Sequence, residues 1–170
     1  ASGGSVGGYN AVYFDRGTAP TRVAGAVVNG ALHICVLSTN ALWHTVETSV
    51  DVFSGWTAAH SAAFPGISMG GSVDCAAIGT QLHVCLDGFR IAGDIQTFPV
   101  VLRSIRNNAG AWSPPREVMQ RSPVIRDVAC TNRLPASGRQ VLEVLARSQA
   151  QTGSGANRRT IEALVHTTVL

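Results

Sequence analysis

Residues 23–35, VAGAVVNGALHIC, align without a gap with residues 73–85, VDCAAIGTQLHVC. The two stretches share valine, alanine, leucine, histidine and cysteine at the same positions. A third and more diverged copy, VACTNR followed by QVLEVL, begins at Val128 and resumes at Gln140. A repeat of roughly 50–60 residues built from short strands is typical of stacked β units, and it predicts an all-β fold of the β-propeller class.

The repeat divides the chain into three units, at about residues 23–66, 67–124 and 125–170. Each unit is expected to form a four-stranded blade, and the first strand pair closes at a turn signal, Asn29-Gly30 or Gly79-Thr80. The third unit lacks a fourth strand at its end. An N-terminal strand at 8–14 is expected to supply it, because strand sharing between chain ends removes open sheet edges.

Three blades are too few to close a ring, since propellers have typically about 4–8 blades. The sequence 1–170 therefore predicts a single half-ring domain, completed by a second chain as a homodimer. Two alternatives stay open. The chain is a fragment of a longer propeller, or the blades are miscounted and the fold is a permuted four-blade ring or a sandwich.

Composition excludes several classes of protein. The chain has 170 residues, of which 45% are hydrophobic and 14% charged, so it is globular and forms one domain. No apolar run reaches the roughly 18 residues of a membrane span. The formal charge of +3 is scattered, whereas nucleic-acid binding is usually marked by a clustered basic stripe. We expect no membrane span and no nucleic-acid partner, while secreted and cytoplasmic locations both stay open.

The four cysteines read as buried thiols. Cys35 aligns with Cys85, and Cys75 aligns with Cys130, and the remaining copies carry leucine and glycine at these positions. Positions that exchange with leucine or glycine are typical of core packing. A disulfide between Cys75 and Cys85 is the alternative, because a tight turn centred near Thr80 would place them opposite each other.

No pattern of residues nominates catalysis. The histidines lack metal-ligand spacing, the acidic residues form no repeated pair, and no phosphate-binding glycine loop is present. We therefore expect no catalytic residue, no metal and no cofactor. A hydrolase with a site assembled only in three dimensions is the third alternative.

Aromatic residues recur at fixed places in the units. The first unit contains LHIC, NALWH and SGWT, and the second contains LHVC and AWSP. These motifs resemble the blades of PLL-like and tectonin-type β-propeller lectins. The resemblance implies a non-enzymatic lectin that binds small saccharides in shallow sites, where a tryptophan face stacks on the sugar and polar side chains bond its hydroxyls.

The residues that the resemblance assigns to glycan binding are the aromatic and polar side chains of the third and fourth strands: Trp43, His44, Trp56, Arg103, Trp112 and His166. The second and third units depart from the family pattern, because Leu102 and Val165 replace the third-strand tryptophan. Blade packing is the alternative role for the tryptophans. The alternative function is a propeller scaffold for protein–protein contact through the face with the long loops.

Overall fold

The computed structural model describes residues 12, 14, 16, 19–38, 41–60, 67–92, 95–120, 124–154 and 158–169. Within these residues the chain forms twelve strands and no helix, so the predicted all-β class is confirmed. The described part of the chain accordingly contains no helix that could cross a membrane.

The strands form three antiparallel sheets that follow one another along the chain. The first sheet contains β1 (Pro20–Val28), β2 (Ala31–Ser38), β3 (Ala41–Ser49), β4 (Val52–Phe53) and β5 (Thr57–His60). The second contains β6 (Ile67–Ile78), β7 (Gln81–Ala92), β8 (Ile95–Arg106) and β9 (Arg116–Gln120). The third contains β10 (Val124–Arg133), β11 (Val141–Thr152) and β12 (Arg159–Val169).

Two-residue turns set the strand register in the first two sheets. Asn29 and Gly30 have φ angles of 52° and 80°, the left-handed pair that a type I′ hairpin requires. The β6–β7 turn lies at Gly79-Thr80, as the sequence predicts, and Gly79 has a φ of 56°. These turns pair Val28 with Ala31 and Ile78 with Gln81.

The fourth strand of the second unit begins later than predicted. The sequence suggests a strand at 111–118, whereas β9 spans Arg116–Gln120 and Trp112 makes only an isolated bridge to Arg106. Pro114 and Pro115 explain the difference, because proline cannot donate a hydrogen bond to the neighbouring strand.

The second sheet lies between the other two, with β6 in contact with both β1 and β10. One hydrophobic core joins the first and second sheets, and it includes Leu37, Leu42 and Leu86. Another joins the second and third sheets, and it includes Val101 and Leu142. The three sheets do not close into a ring within the described residues, so the propeller stays a prediction.

Side chains also tie β6 to β10. The Asp74 carboxylate accepts hydrogen bonds from the backbone N–H of Cys75 at 2.8 Å and of Cys130 at 2.7 Å. Ser72 Oγ accepts a bond from the Val128 N–H at 2.8 Å. Both β6 and β10 are edge strands of their own sheets, so these bonds satisfy backbone groups that no strand pairs.

All four cysteines are free and buried, which confirms the prediction for Cys35 and Cys130 and leaves no Cys75–Cys85 disulfide. The turn is centred between Gly79 and Thr80, so Cys75 pairs with Val84 instead of Cys85. As a result Cys75 faces the core between the first and second sheets, and Cys85 faces the other core.

Most of the predicted N-terminal strand at 8–14 lies outside the described residues. Phe14 is described, and its ring meets the rings of Trp43 and Trp56 edge-on, with centroids 6.1 Å and 5.1 Å away. The third sheet has three strands within the described residues, and a fourth strand for it stays a prediction.

Candidate functional site

Two clefts lie where neighbouring sheets meet at their hairpin ends. The large cleft, about 660 Å³, separates the second and third sheets and is lined by Ile78, Gly79, Gln81, His83, Arg103, Ile105, Leu134, Gly138, Arg139, Gln140 and Val169. The small cleft, about 190 Å³, separates the first and second sheets and is lined by Val28, Asn29, Ala31, His33, Val46, Thr80, Leu82, Arg106, Asn107 and Asn108. Only the large cleft falls in the range of about 300–1,000 Å³ that is usual for small-molecule sites.

His83 is the unusual polar residue of the large cleft. Its side chain is buried, with 5% of the residue exposed, and neither ring nitrogen has a hydrogen-bond partner among the described residues. Burial, and secondarily the charge of Arg103, lowers the pKa of His83 to about 4. The imidazole is therefore neutral at pH 7, with one donor and one acceptor nitrogen.

Arginines make the large cleft a donor-rich site. Arg103 is half-buried on β8, and burial, followed by the charge of Arg116, lowers its guanidinium pKa. Arg139 reaches the cleft from the β10–β11 loop, and none of the described lining residues is acidic. Guanidinium groups present several fixed N–H donors, so the cleft suits ligands rich in hydroxyl or anionic oxygens.

The loop that forms the far wall of the large cleft is attached to the opposite hairpin. Gln140 Oε1 accepts a hydrogen bond from the backbone N–H of Gly79 at 2.7 Å. Asn132 Nδ2 donates to the carbonyl oxygen of Ala77 at 2.8 Å. These bonds hold the third sheet beside the β6–β7 hairpin and so define the width of the cleft.

Each sheet carries a polar pair at aligned positions of its second and third strands. The pairs are His33 with His44, His83 with Arg103, and Glu143 with His166. The pairing register places the third-strand members opposite aligned residues of the second strand, namely Cys35, Cys85 and Leu145. The three sheets thus carry different polar side chains at equivalent positions of their second and third strands.

The outer two pairs are already engaged. His33 Nδ1 lies within hydrogen-bond distance of His44 Nε2, at 2.9 Å. Burial, followed by the charges of Arg106 and His33, lowers the pKa of His44 to about 3. The carboxylate of Glu143 is hydrogen-bonded to His166, Arg133 and Thr168. The bond from His166 and the further bonds from Arg133 and Thr168, against the opposing effect of burial, lower the pKa of Glu143 to about 2.

The structure does not bring the six predicted site residues together. Arg103 lines the large cleft, and His166 lies on the exposed outer face of the third sheet. His44 and Trp112 meet edge-on at 5.5 Å, beside the core between the first and second sheets. These positions divide the predicted set among different parts of the molecule.

Trp43 and Trp56 lie on the first sheet, away from both clefts. The Arg16 guanidinium lies 5.5 Å from the centre of the Trp43 ring and donates to the Trp56 carbonyl oxygen at 2.7 Å. Trp43 Nε1 donates to Ser38 Oγ at 3.2 Å, and Trp56 is buried. These contacts favour packing for Trp56, while sugar binding by Trp43 stays a prediction.

Sequence reasoning did not nominate His83, Gln81 or Arg139 as binding residues. The repeat does align His83 with His33, but a histidine on a strand usually makes hydrogen bonds inside the protein, so the alignment alone does not indicate a binding residue. The unpartnered state of His83 could be seen only once its neighbours were known. The loop that carries Arg139 has no counterpart in the aligned motifs.

Among the described residues, no three His, Cys, Asp or Glu side chains are grouped so that they could hold a metal ion. No protein-family model matches the sequence, and comparison with curated proteins gives no match. Among solved structures, the chain is similar to MPT-4, a mannose phosphorylase from Leishmania mexicana, with 11% identity and a TM-score of 0.43. The similarity covers 88% of this chain and 43% of that protein, and it is too weak to assign fold or activity.

Proposed function

We propose that this chain is a non-enzymatic carbohydrate-binding protein and that the large cleft is its saccharide site. The observation that carries the proposal is the buried imidazole of His83, a residue that lines the large cleft together with Arg103 and whose two ring nitrogens have no described hydrogen-bond partner. Buried polar atoms are normally hydrogen-bonded, so a bound ligand with hydroxyl groups accounts for this exception.

The remaining lining residues suit a sugar ring. Ile105, Leu134 and Val169 offer an apolar wall for the C–H face of a pyranose. Gln81 and Arg139 add side chains that donate hydrogen bonds to hydroxyl oxygens. A cleft of this composition recognises the hydroxyl pattern on one side of the ring and the apolar face on the other.

The proposal of binding without catalysis rests on the lack of acidic side chains in the described lining of the large cleft. Glycoside hydrolysis generally uses two carboxylates on either side of the scissile bond. The described lining of the large cleft contains none. Binding and release of an unchanged saccharide is therefore the chemistry that this lining supports.

A glycan array followed by calorimetric titration tests the proposal. Arg103→Ala should weaken binding of the best saccharide about 10- to 100-fold, because a charged hydrogen bond is worth about 1.5–3 kcal/mol. Arg126→Ala, which removes an exposed arginine outside both clefts, is the matched control and should bind like the wild type.

Two results would count against the proposal. An array with no sugar-dependent signal removes the lectin function altogether. Binding that survives Arg103→Ala but is lost in Trp43→Ala moves the site to Trp43 on the first sheet, one of the residues that the family resemblance assigns to glycan binding.

The second candidate function is a scaffold for protein–protein contact. The observation that favours it is the set of large apolar side chains exposed on the third sheet and its loops: Leu134, Leu145, Ile161 and Leu164. Isolated apolar residues are normal on protein surfaces, but several on one sheet mark a contact site. A scaffold would give no signal on the glycan array and would retain partner binding in Arg103→Ala.

We also propose that the three sheets are blades of a β-propeller whose ring is completed by a second chain. The support is the linear order of the sheets, with β6 between β1 and β10. The first strands of successive propeller blades are neighbours around the central axis in the same way. Light scattering that returns a stable monomer of 17.7 kDa would contradict the two-chain ring.

A further inference from the structure

The two interfaces inside the chain are built from the same aligned positions. Cys35 of the first sheet and Cys75 of the second sheet are neighbours in one buried core, and the Cys35 thiol, followed by burial, raises the pKa of Cys75. Cys85 of the second sheet and Cys130 of the third sheet are neighbours in the other core, and the Cys85 thiol, followed by burial, raises the pKa of Cys130. At both interfaces, therefore, a residue of the second strand of one sheet contacts a residue of the first strand of the next sheet.

The counterparts of these buried positions are exposed on the third sheet. Leu145 aligns with Cys35 and Cys85, and it is 38% exposed while both cysteines are 0% exposed. Leu164 pairs with Arg147 in the third sheet, just as Leu42 pairs with Leu37 in the first sheet. Leu164 is 79% exposed, whereas Leu42 is 0% exposed. The outer face of the third sheet is thus one half of an inter-sheet interface without its other half.

The first sheet exposes the complementary half. Val23 aligns with Val73, and their exposed fractions are 63% and 7%. Gly25 aligns with Cys75 and is also exposed. Within the described residues, Phe14 and Arg16 contact Trp43 of β3, while Val23 and Val27 of β1 are 63% and 59% exposed.

We propose that the outer face of the third sheet docks on β1 of a second copy of this chain and that the junction forms a third cleft around Glu143 and His166. Residue size supports the match. The internal interfaces place cysteine against cysteine, and the proposed interface places the larger Leu145 against Gly25 of the second copy. A large residue facing a glycine fills about the same space as two residues of intermediate size, as close packing requires.

Two copies of the chain are enough to cover both kinds of exposed face. Each chain carries one uncovered β1 face and one uncovered third-sheet face, so a two-fold pair forms two equivalent junctions. Asp127 of the third sheet aligns with Ser72 of the second sheet. Ser72 Oγ accepts a hydrogen bond from the Val128 N–H across the internal interface, at 2.8 Å. Asp127 is therefore positioned to accept the N–H of Val23 from the second copy.

The third cleft differs chemically from the large cleft. Glu143 and His166 of the third sheet align with His83 and Arg103, which line the large cleft. In the third cleft, the Asn29-Gly30 hairpin of the second copy would form the wall that the β10–β11 loop forms in the large cleft. Arg133, His166 and Thr168 already bond the Glu143 carboxylate, so this cleft offers the hydroxyl groups of a saccharide a polar cluster that includes the exposed side chains of Arg133 and His166. This ligand class rests on the proposed function, whereas the docking does not.

A designed cross-link tests the docking. The double variant Gly25→Cys with Leu145→Cys reproduces at the junction the cysteine pairs of the internal interfaces. Mild oxidation should convert most of it to a species of twice the chain mass on a non-reducing gel, reversed by reductant. Each single variant is the control and should stay at the mass of one chain.

Light scattering on the intact protein provides the second measurement. The wild type and Arg103→Ala should be dimers, which separates the docking from sugar binding in the large cleft. Leu145→Arg should be a folded monomer, and Val50→Arg, which changes an exposed residue outside both faces, should stay a dimer. A monomeric wild type overturns the docking, and a dimer that does not cross-link overturns this interface.

Discussion

At the scale of single residues, the second sheet contains a buried carboxylate in a tight backbone pocket. Asp87 Oδ1 accepts the N–H of Ser72 at 2.7 Å, and the backbone of Gly71 also bonds the carboxylate. Burial raises the pKa of Asp87, and the bonds from Ser72 and Gly71 oppose that shift. A methyl group on Gly70 would fall 2.0 Å from Asp87 Oδ2, so only glycine leaves room for the carboxylate.

Gly70→Ala should therefore destabilise the protein by about 2–3 kcal/mol, the cost of overpacking a buried site. Gly71→Ala is the matched control, because a methyl group there would meet no atom within 4 Å. Urea denaturation of both variants measures the difference. Equal midpoints for the two variants would show that Asp87 does not confine Gly70.

At the scale of strands, side-chain hydrogen bonds join the third sheet to the second in addition to apolar packing. Asp74 accepts hydrogen bonds from one N–H of its own strand and from the Cys130 N–H of β10. The sequence did not predict this role, because Asp74 aligns with Ala24 and Ala129 and has no repeated partner. The role depends on the distance between β6 and β10, which is a feature of sheet packing.

Asp74→Ala should cost about 2–3 kcal/mol, because it leaves two backbone N–H groups with no acceptor. Hydrogen exchange should accelerate at the Cys130 amide more than at amides of β2 in the first sheet. Asp74→Asn keeps one acceptor oxygen and should recover part of the loss. Unchanged exchange at Cys130 in Asp74→Ala would mean that the bond does not hold β10.

At the scale of the whole molecule, neutral histidines make folding sensitive to mild acid. Burial is the main cause that lowers the pKa of His33, of His44 to about 3 and of His83 to about 4. The unfolded chain binds protons at these side chains near pH 6.5, above the folded pKa of each. Stability is therefore full above pH 6.5 and falls as the pH decreases towards 4.

Between pH 7.5 and pH 5 this loss should reach up to about 2 kcal/mol for each of His44 and His83. His83→Gln should reduce the change by about that amount, and urea midpoints at the two pH values measure it. The lowered pKa of Glu143, about 2, adds its own loss only below about pH 4.5. A His83→Gln variant with the full wild-type pH dependence would contradict the assignment of His83.

The sequence by itself determined the all-β class, the positions of the Asn29-Gly30 and Gly79-Thr80 turns and the buried thiols, because strands and hairpins follow from residues close together in the chain. It also nominated Arg103, which lines the large cleft. Only the tertiary structure decided which faces meet. The contacts between cysteines of neighbouring sheets and the position of His83 in the large cleft arise because the sheets pack face to face. The position of Arg16 over Trp43 arises because a residue that precedes β1 lies against β3. All of these contacts join residues far apart in sequence, for which no local pattern exists.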